Sequence, residues 1–184
     1  SLMPEVQFKA KGCYAVTLIA GKNGKYDTLT RNCYIDVIGY CYPAVDNLIS
    51  DIGISRVTLG QIDNSSEVAE EIYTDYTARH KTSVEVGGSY TVGVERKVAL
   101  NSMNRAVWID WNQDGDFNDS LELIGRERSN KTLKWTKTFT VPNTNVARLG
   151  ATRMRIGTNI GNLSNKPCGP NSYGEFEDYR IVVT

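Results

Sequence analysis

The sequence predicts an all-β chain folded as an antiparallel β-sandwich. Almost every periodic segment of the 184 residues alternates apolar and polar side chains with period two, and turn residues punctuate these segments at short intervals. Helical periodicity is nearly absent.

In Gly12-Cys13-Tyr14-Ala15-Val16-Thr17-Leu18 the residues Tyr14, Val16 and Leu18 share one face. The turn residues Gly21-Lys22-Asn23-Gly24 then return the chain toward Tyr34-Ile35-Asp36-Val37. Further strands are expected at residues 54–62, 83–86, 89–95, 103–110, 133–141, 152–157 and 176–183, with Gly87-Gly88 and Val141-Pro142-Asn143 turning the chain between neighbours. Residues 66–71 can form one helical turn at most.

The segment Trp108-Ile109-Asp110-Trp111-Asn112-Gln113-Asp114-Gly115-Asp116-Phe117-Asn118-Asp119, with Glu122 three residues later, reads as a hard-cation loop between two strands. Side-chain oxygens at Asp110, Asn112 and Asp114, a Gly for the sharp turn and the backbone carbonyl of Asp116 reproduce the first half of an EF-hand loop. The second half departs from it: loop position twelve is Leu121, the flanks read as strands, and Glu122, one place late, is the expected closing carboxylate. Asp110, Asp114, Asp116 and Asp119 place four like charges in one short loop, which repels itself unless a cation neutralises it. A structural Ca2+ is therefore expected. Mg2+ suits the loop less well, because it keeps its waters and takes few protein ligands. The alternative is a plain hairpin loop whose Asp and Asn side chains bond the local backbone.

Lys plus Arg equal Asp plus Glu, so the formal charge is zero and the main driving force for nonspecific nucleic-acid binding is missing. No apolar run approaches the roughly twenty residues of a membrane span. Ser1-Leu2 reads as an expression scar with the natural start upstream, so the lack of a visible signal peptide does not argue for the cytoplasm.

Four cysteines without a CxxC pair, beside a single His, favour two disulfides over a zinc site. Three pairings are open. Cys13 and Cys33 sit in neighbouring strand-like segments, while Cys41 and Cys168 lie near the two ends of the remaining chain, so pairing in that order would staple two units separately. An even cysteine count with a calcium-type loop points to an oxidising, calcium-rich exterior.

Two resemblances organise the chain. Val6 and Phe8, then Gly12-x-Tyr14-x-Val16-x-Leu18, a turn with Gly24, and Tyr34-Ile35-x-Val37 resemble the last strands of a PKD-type immunoglobulin-like domain. Such a domain needs about seven strands and roughly 100 residues, so residues 1–38 hold a partial immunoglobulin-like strand set. Its open edge and apolar face are expected to dock on the larger domain or to pair with another chain. Residues 39–184 carry a second set of motifs. These are Tyr40-Cys41-x-Pro43, Ile54-x-x-Val57-x-Leu59-Gly60-x-Ile62-x-Asn64, Tyr73-Thr74-Asp75-Tyr76-Thr77, the acidic loop, Thr152-Arg153-Met154-Arg155, Cys168-Gly169 and Gly174-Glu175-Phe176-Glu177-Asp178-Tyr179. They resemble the GEVED domain, with Phe176 where the family name spells Val. The resemblance implies a jelly-roll or immunoglobulin-like sandwich on secreted or cell-surface bacterial proteins, often beside peptidases, glycosidases or PKD repeats. It does not imply an enzyme.

The residues themselves offer little catalytic chemistry. His80 is the only histidine, lies in a polar segment and accompanies no nucleophile motif, so a surface role is expected. Glu175, Glu177 and Asp178 are the candidates for a glycosidase pair. On a strand, however, Glu175 and Glu177 share a face, as Arg153 and Arg155 do on theirs, and the four are expected to form a cross-strand ion-pair ladder. A second calcium site at Glu177 or Asp178 is a smaller alternative. Among the aromatics, Trp111 and Phe117 are expected to wedge the acidic loop onto the sheet and Tyr173 to anchor the last strand. Tyr40, Tyr42 and Trp135 could instead stack on a glycan. The function expected is a non-catalytic, calcium-stabilised accessory or binding module of a larger secreted bacterial protein. Its expected partners are neighbouring domains of the same polypeptide, with carbohydrate binding or adhesion, and positioning of a secreted peptidase, as alternatives.

Overall fold

The structure, a computed structural model, describes residue 6 and residues 12–37, 39–66, 71–160 and 166–184. Phe8 and residues 67–70 of the expected helical turn lie outside the described residues. The chain divides into two compact units, Ser1–Tyr40 and Cys41–Thr184.

The first unit contains one long antiparallel hairpin of β1 (Gly12–Lys22) and β2 (Lys25–Val37). Asn23 and Gly24 both take positive φ, 53° and 75°, the backbone form that matches the twist of a two-residue hairpin turn. Cys13 and Cys33 are bonded across the pair. Leu18 and Leu29 stand directly opposite each other, and both are more than half exposed.

The second unit is a sandwich. Its short elements are β3 (Val45–Asn47), β4 (Arg56–Leu59), β5 (Ile62–Ser65), β6 (Tyr73–Asp75) and β7 (Lys81–Val84). The longer strands are β8 (Ser89–Glu95), β9 (Met103–Ile109), β10 (Leu123–Asn130), β11 (Lys134–Thr140) and β12 (Gly150–Ile160), followed by β13 (Asn171–Tyr173) and β14 (Phe176–Val183). One sheet runs β11-β8-β4-β5; the other runs β10-β9-β12-β14-β6, with β7 also on β14. Alternation sends Val57, Leu59, Val92, Val94 and Phe139 of the first sheet against Val107, Ile109, Met154, Ile156 and Ile181 of the second. All of these are at least nine-tenths buried.

The pairing is antiparallel except at one edge and at a short β3–β13 ladder. Both β6 and β7 run parallel to β14, against Phe176–Asp178 and Arg180–Val183 respectively. They are two pieces of one edge, broken at Tyr76, whose carbonyl accepts the Arg79 and His80 amides. The strand expected at 54–62 is likewise two strands, turned at Gly60-Gln61.

The outer face of the larger sheet is also buried, and this arrangement positions the site. On β12, Met154 and Ile156 point into the sandwich, so Arg153 and Arg155 point out. Arg155 stands opposite Asp178 of β14, and neither side chain reaches solvent. The Arg155 Nη1 donates to the carbonyls of Cys41 (2.9 Å) and Pro167 (2.8 Å). Those two segments are joined by the Cys41–Cys168 disulfide, with Cα atoms 5.6 Å apart. The disulfide thus holds covering segments against a buried arginine. Gly174, first residue of the Gly-Glu-Phe-Glu-Asp-Tyr motif, has φ 151° and packs so that a Cβ would run into the Thr158 carbonyl, which no other residue permits.

Candidate metal centre

The acidic loop begins where β9 ends. The Asp110 amide donates to the Arg153 carbonyl, and Thr152 Oγ1 donates to the Asp110 carbonyl, which ties the first loop residue to β12. Asp110 is fully buried, and its carboxylate accepts the amides of Gly115 (3.1 Å) and Asp114 (3.3 Å). Gly115 at φ 90° lets the chain fold back over it. The succession continues outward. Asn112 Oδ1 accepts the Asp114 amide, Asp114 Oδ1 the Asp116 amide, and Asp116 Oδ1 the Asn118 amide. Two aromatic side chains seat the loop, as expected: Trp111 and Phe117 are both buried, and Trp111 Nε1 donates to the Leu121 carbonyl.

Carboxylate oxygens of Asp114, Asp116 and Asp119 lie within 4.8 Å of one another. This set differs from the expected one in three ways. Asp116 brings its carboxylate, where a backbone carbonyl was expected. Asp119, counted in the sequence only as a charge, joins the group. Asn112 turns its amide nitrogen inward and donates to Asp114 (3.0 Å) and Asp119 (2.6 Å), the positive end of a dipole between two carboxylates. Asp110 and Glu122 stand outside this trio, at the two ends of the loop.

Glu122 is nevertheless built into the site. Leu121 takes a positive φ of 75° with its side chain outside, and the next residue turns inward, so the carboxylate comes one place later than in an EF-hand. Glu122 Oε2 accepts the Asp119 amide at 3.1 Å, while Oε1 is buried with no hydrogen-bond partner among the described residues. Burial, followed by the charges of Asp110, Asp119 and Asp114, pushes the Glu122 carboxyl up to about 7.

The expected ion-pair ladder of Arg153, Arg155, Glu175 and Glu177 is corrected. Asp178 is the shared acid: it pairs bidentately with Arg155 (2.7 Å on both oxygens) and with Arg153 (2.9 Å), which also reaches Asp75 at 3.2 Å. The register explains this, because Arg155 faces Asp178 while Glu177 faces Ile156. Glu177 and Asp178 lie on opposite faces of β14. The Arg155 guanidinium lies between the Tyr73 and Phe117 rings, at 5.4 and 5.0 Å from their centroids. Phe117 therefore links the acidic loop to this buried pair.

Glu177 points into the sandwich, where it accepts Tyr179 Oη–H (2.7 Å) and meets Ser66 Oγ (2.9 Å); Asn64 Nδ2 donates to Tyr179. Glu175 Oε2 accepts the Ile54 amide at 2.8 Å. His80, expected at the surface, is half-buried, its ring edge-on to Tyr76 and near Tyr179. Burial pushes the Glu177 carboxyl up to about 7. The native state then holds a proton that the unfolded chain, near 4.5, has released. With the folded value raised, stability should fall as pH rises from about 4.5 to about 7. Glu177→Gln should flatten that part of the slope and leave stability at pH 8 equal to or above the native level, measured as urea midpoints across pH. A slope unchanged by the substitution would assign it to other groups.

An all-β sandwich carrying an acidic loop between two strands of its larger sheet is the class that fold and site define. Residues 104–182 match the model of the GEVED domain family, a span that includes the whole acidic loop and the Gly174–Tyr179 motif. The match does not reach residues 1–103, so it covers neither the hairpin unit nor the first part of the sandwich. No curated protein matches the chain.

Proposed function

We propose that this chain is a non-catalytic accessory module of a larger secreted or cell-surface bacterial protein, with Ca2+ as a structural ion in the acidic loop. The observation that carries the calcium reading is the donor set. Three carboxylates converge in one loop, and beside them Glu122 keeps an oxygen buried without a partner among the described residues. A buried unpaired carboxylate oxygen is costly, and an all-oxygen set of acidic character suits a hard cation of flexible geometry. Asp114, Asp116 and Asp119 would hold the ion, with Glu122 closing the site and Asp110 shaping the turn beneath it. When bound, the ion neutralises like charges that otherwise repel.

The GEVED match over residues 104–182 supports the accessory-module reading, and two disulfides fit an oxidising exterior. Among the described residues, no helix is long and apolar enough to cross a membrane. The carboxylates that would have served a glycosidase support a structural role instead: Glu175 and Glu177 hold the Ile54 amide, Ser66 and Tyr179. Trp135 packs against the sandwich core, which weighs against its serving as a flat sugar platform. Partners of the module are neighbouring domains of the same polypeptide, and the exposed Val16, Leu18 and Leu29 of the hairpin offer them an apolar face.

Melting the metal-free protein with and without Ca2+ tests this reading. At a calcium concentration about 100-fold above Kd the folded state gains about 2.7 kcal/mol, which for a chain of this size raises Tm by about 5–10 °C. Excess chelator should reverse the shift, and Mg2+ should reproduce little of it. An identical Tm in calcium and in chelator would sink the calcium reading.

A further inference from the structure

We infer that occupancy of the acidic loop and the redox state of Cys41–Cys168 are coupled through Arg155 and Phe117, so that Ca2+ protects this disulfide from reduction. The inference rests on the calcium reading above and adds its regulation.

The connection is a short chain of packed groups. Phe117 lies inside the metal loop, one residue from Asp116, and is buried with its ring 5.0 Å from the Arg155 guanidinium carbon. Arg155 is itself fully buried, clamped by Asp178 on one side. On the other, its Nη1 lies 2.9 Å from the Cys41 carbonyl, 3.2 Å from Cys41 Sγ and 2.8 Å from the Pro167 carbonyl. The same guanidinium thus contacts both arms of the disulfide and the ring that seats the loop. Separating the arms removes acceptors from a buried cation, which must then find water or move. Either response disturbs the surface on which Phe117 rests, and with it the spacing of Asp116 and Asp119.

Coupling of this kind is reciprocal: whatever factor the disulfide contributes to Ca2+ affinity, Ca2+ contributes to the disulfide's resistance to reduction. A coupling of about 5- to 150-fold is the usual size for two linked sites. Nothing comparable is expected at Cys13–Cys33, which lies in the other compact unit and serves as an internal reference.

The test uses the unaltered chain. It is equilibrated in buffers of reduced and oxidised dithiothreitol, with saturating Ca2+ or with chelator, and free thiols are then trapped and counted by peptide mass. Each reduction passes two electrons and two protons from one dithiothreitol to one disulfide, and the reagent closes to its cyclic form. Calcium should raise at least fivefold the ratio of reduced to oxidised reagent needed to open half of Cys41–Cys168, and leave Cys13–Cys33 unmoved. Equal reduction of Cys41–Cys168 with and without Ca2+, in a chain whose Tm does respond to Ca2+, would overturn the coupling alone. A chain whose Tm ignores Ca2+ would overturn the calcium reading and the coupling with it.

Discussion

Asp178→Ala should cost the Cys41–Thr184 unit about 3–5 kcal/mol, read as a fall in the denaturant midpoint at unchanged slope. The reason is the position of the charge it leaves behind. Arg155 lies on the outer face of the larger sheet, yet has no exposure, and Asp178 supplies both of its 2.7 Å carboxylate contacts. Arg153 loses its 2.9 Å contact at the same time. Burying a cation without its anion is far costlier than removing the pair, so Arg155→Met combined with Asp178→Leu should be more stable than Asp178→Ala alone. The surface pair Arg56–Asp63 has the same 2.7 Å geometry but stands in solvent, and Asp63→Ala should barely move the midpoint. A small effect at Asp178 would mean that water enters behind the covering segments.

The second large effect is at the disulfide above that pair. Cys41 and Cys168 are 127 residues apart in sequence, and closing so long a loop restricts the unfolded chain by about 5 kcal/mol on the loop-entropy model. Cys41→Ala/Cys168→Ala should lower stability by at least about that much, since the bridge also holds the Cys41 and Pro167 carbonyls in place on Arg155. The Cys13–Cys33 bridge closes a separation of only 20 residues, for which the same model yields about 3 kcal/mol. Its removal should be felt in the hairpin and not in the sandwich transition. Chemical denaturation of the two double variants separates these expectations, and equal losses from the sandwich transition would contradict them.

What could be read from the sequence follows the range of the forces involved. Period-two alternation announced β8, where Tyr90, Val92 and Val94 share the core-facing side, whereas β9 is buried at every position and was marked by its run of apolar residues from Ala106 to Ile109. Three-residue β3, β6 and β13 carry too few residues to show a period, and all three are set by parallel ladders to distant segments. The fold-back of the acidic loop could be read because its Asp and Asn side chains bond amides only two to five residues on. The converging carboxylates were read incompletely because Asp119 enters through tertiary folding of the loop, and Leu121 reached a left-handed backbone that no local residue type announced. The ladder failed on register. Glu177 and Asp178 are adjacent, and only pairing with β12 decides which one meets Arg155. Buried Arg and Asp on an outward face give no signal in one sequence, since the face is covered by residues from both ends of the unit.

Calcium titration of the metal-free chain by calorimetry tests the central claim most directly. One saturable site per chain is expected in the native protein, and its loss is expected in Asp114→Asn/Asp119→Asn, which keeps the loop's size while removing two of its three converging charges. No saturable heat with the native chain, or full binding retained by the double variant, would contradict a structural calcium ion in this loop.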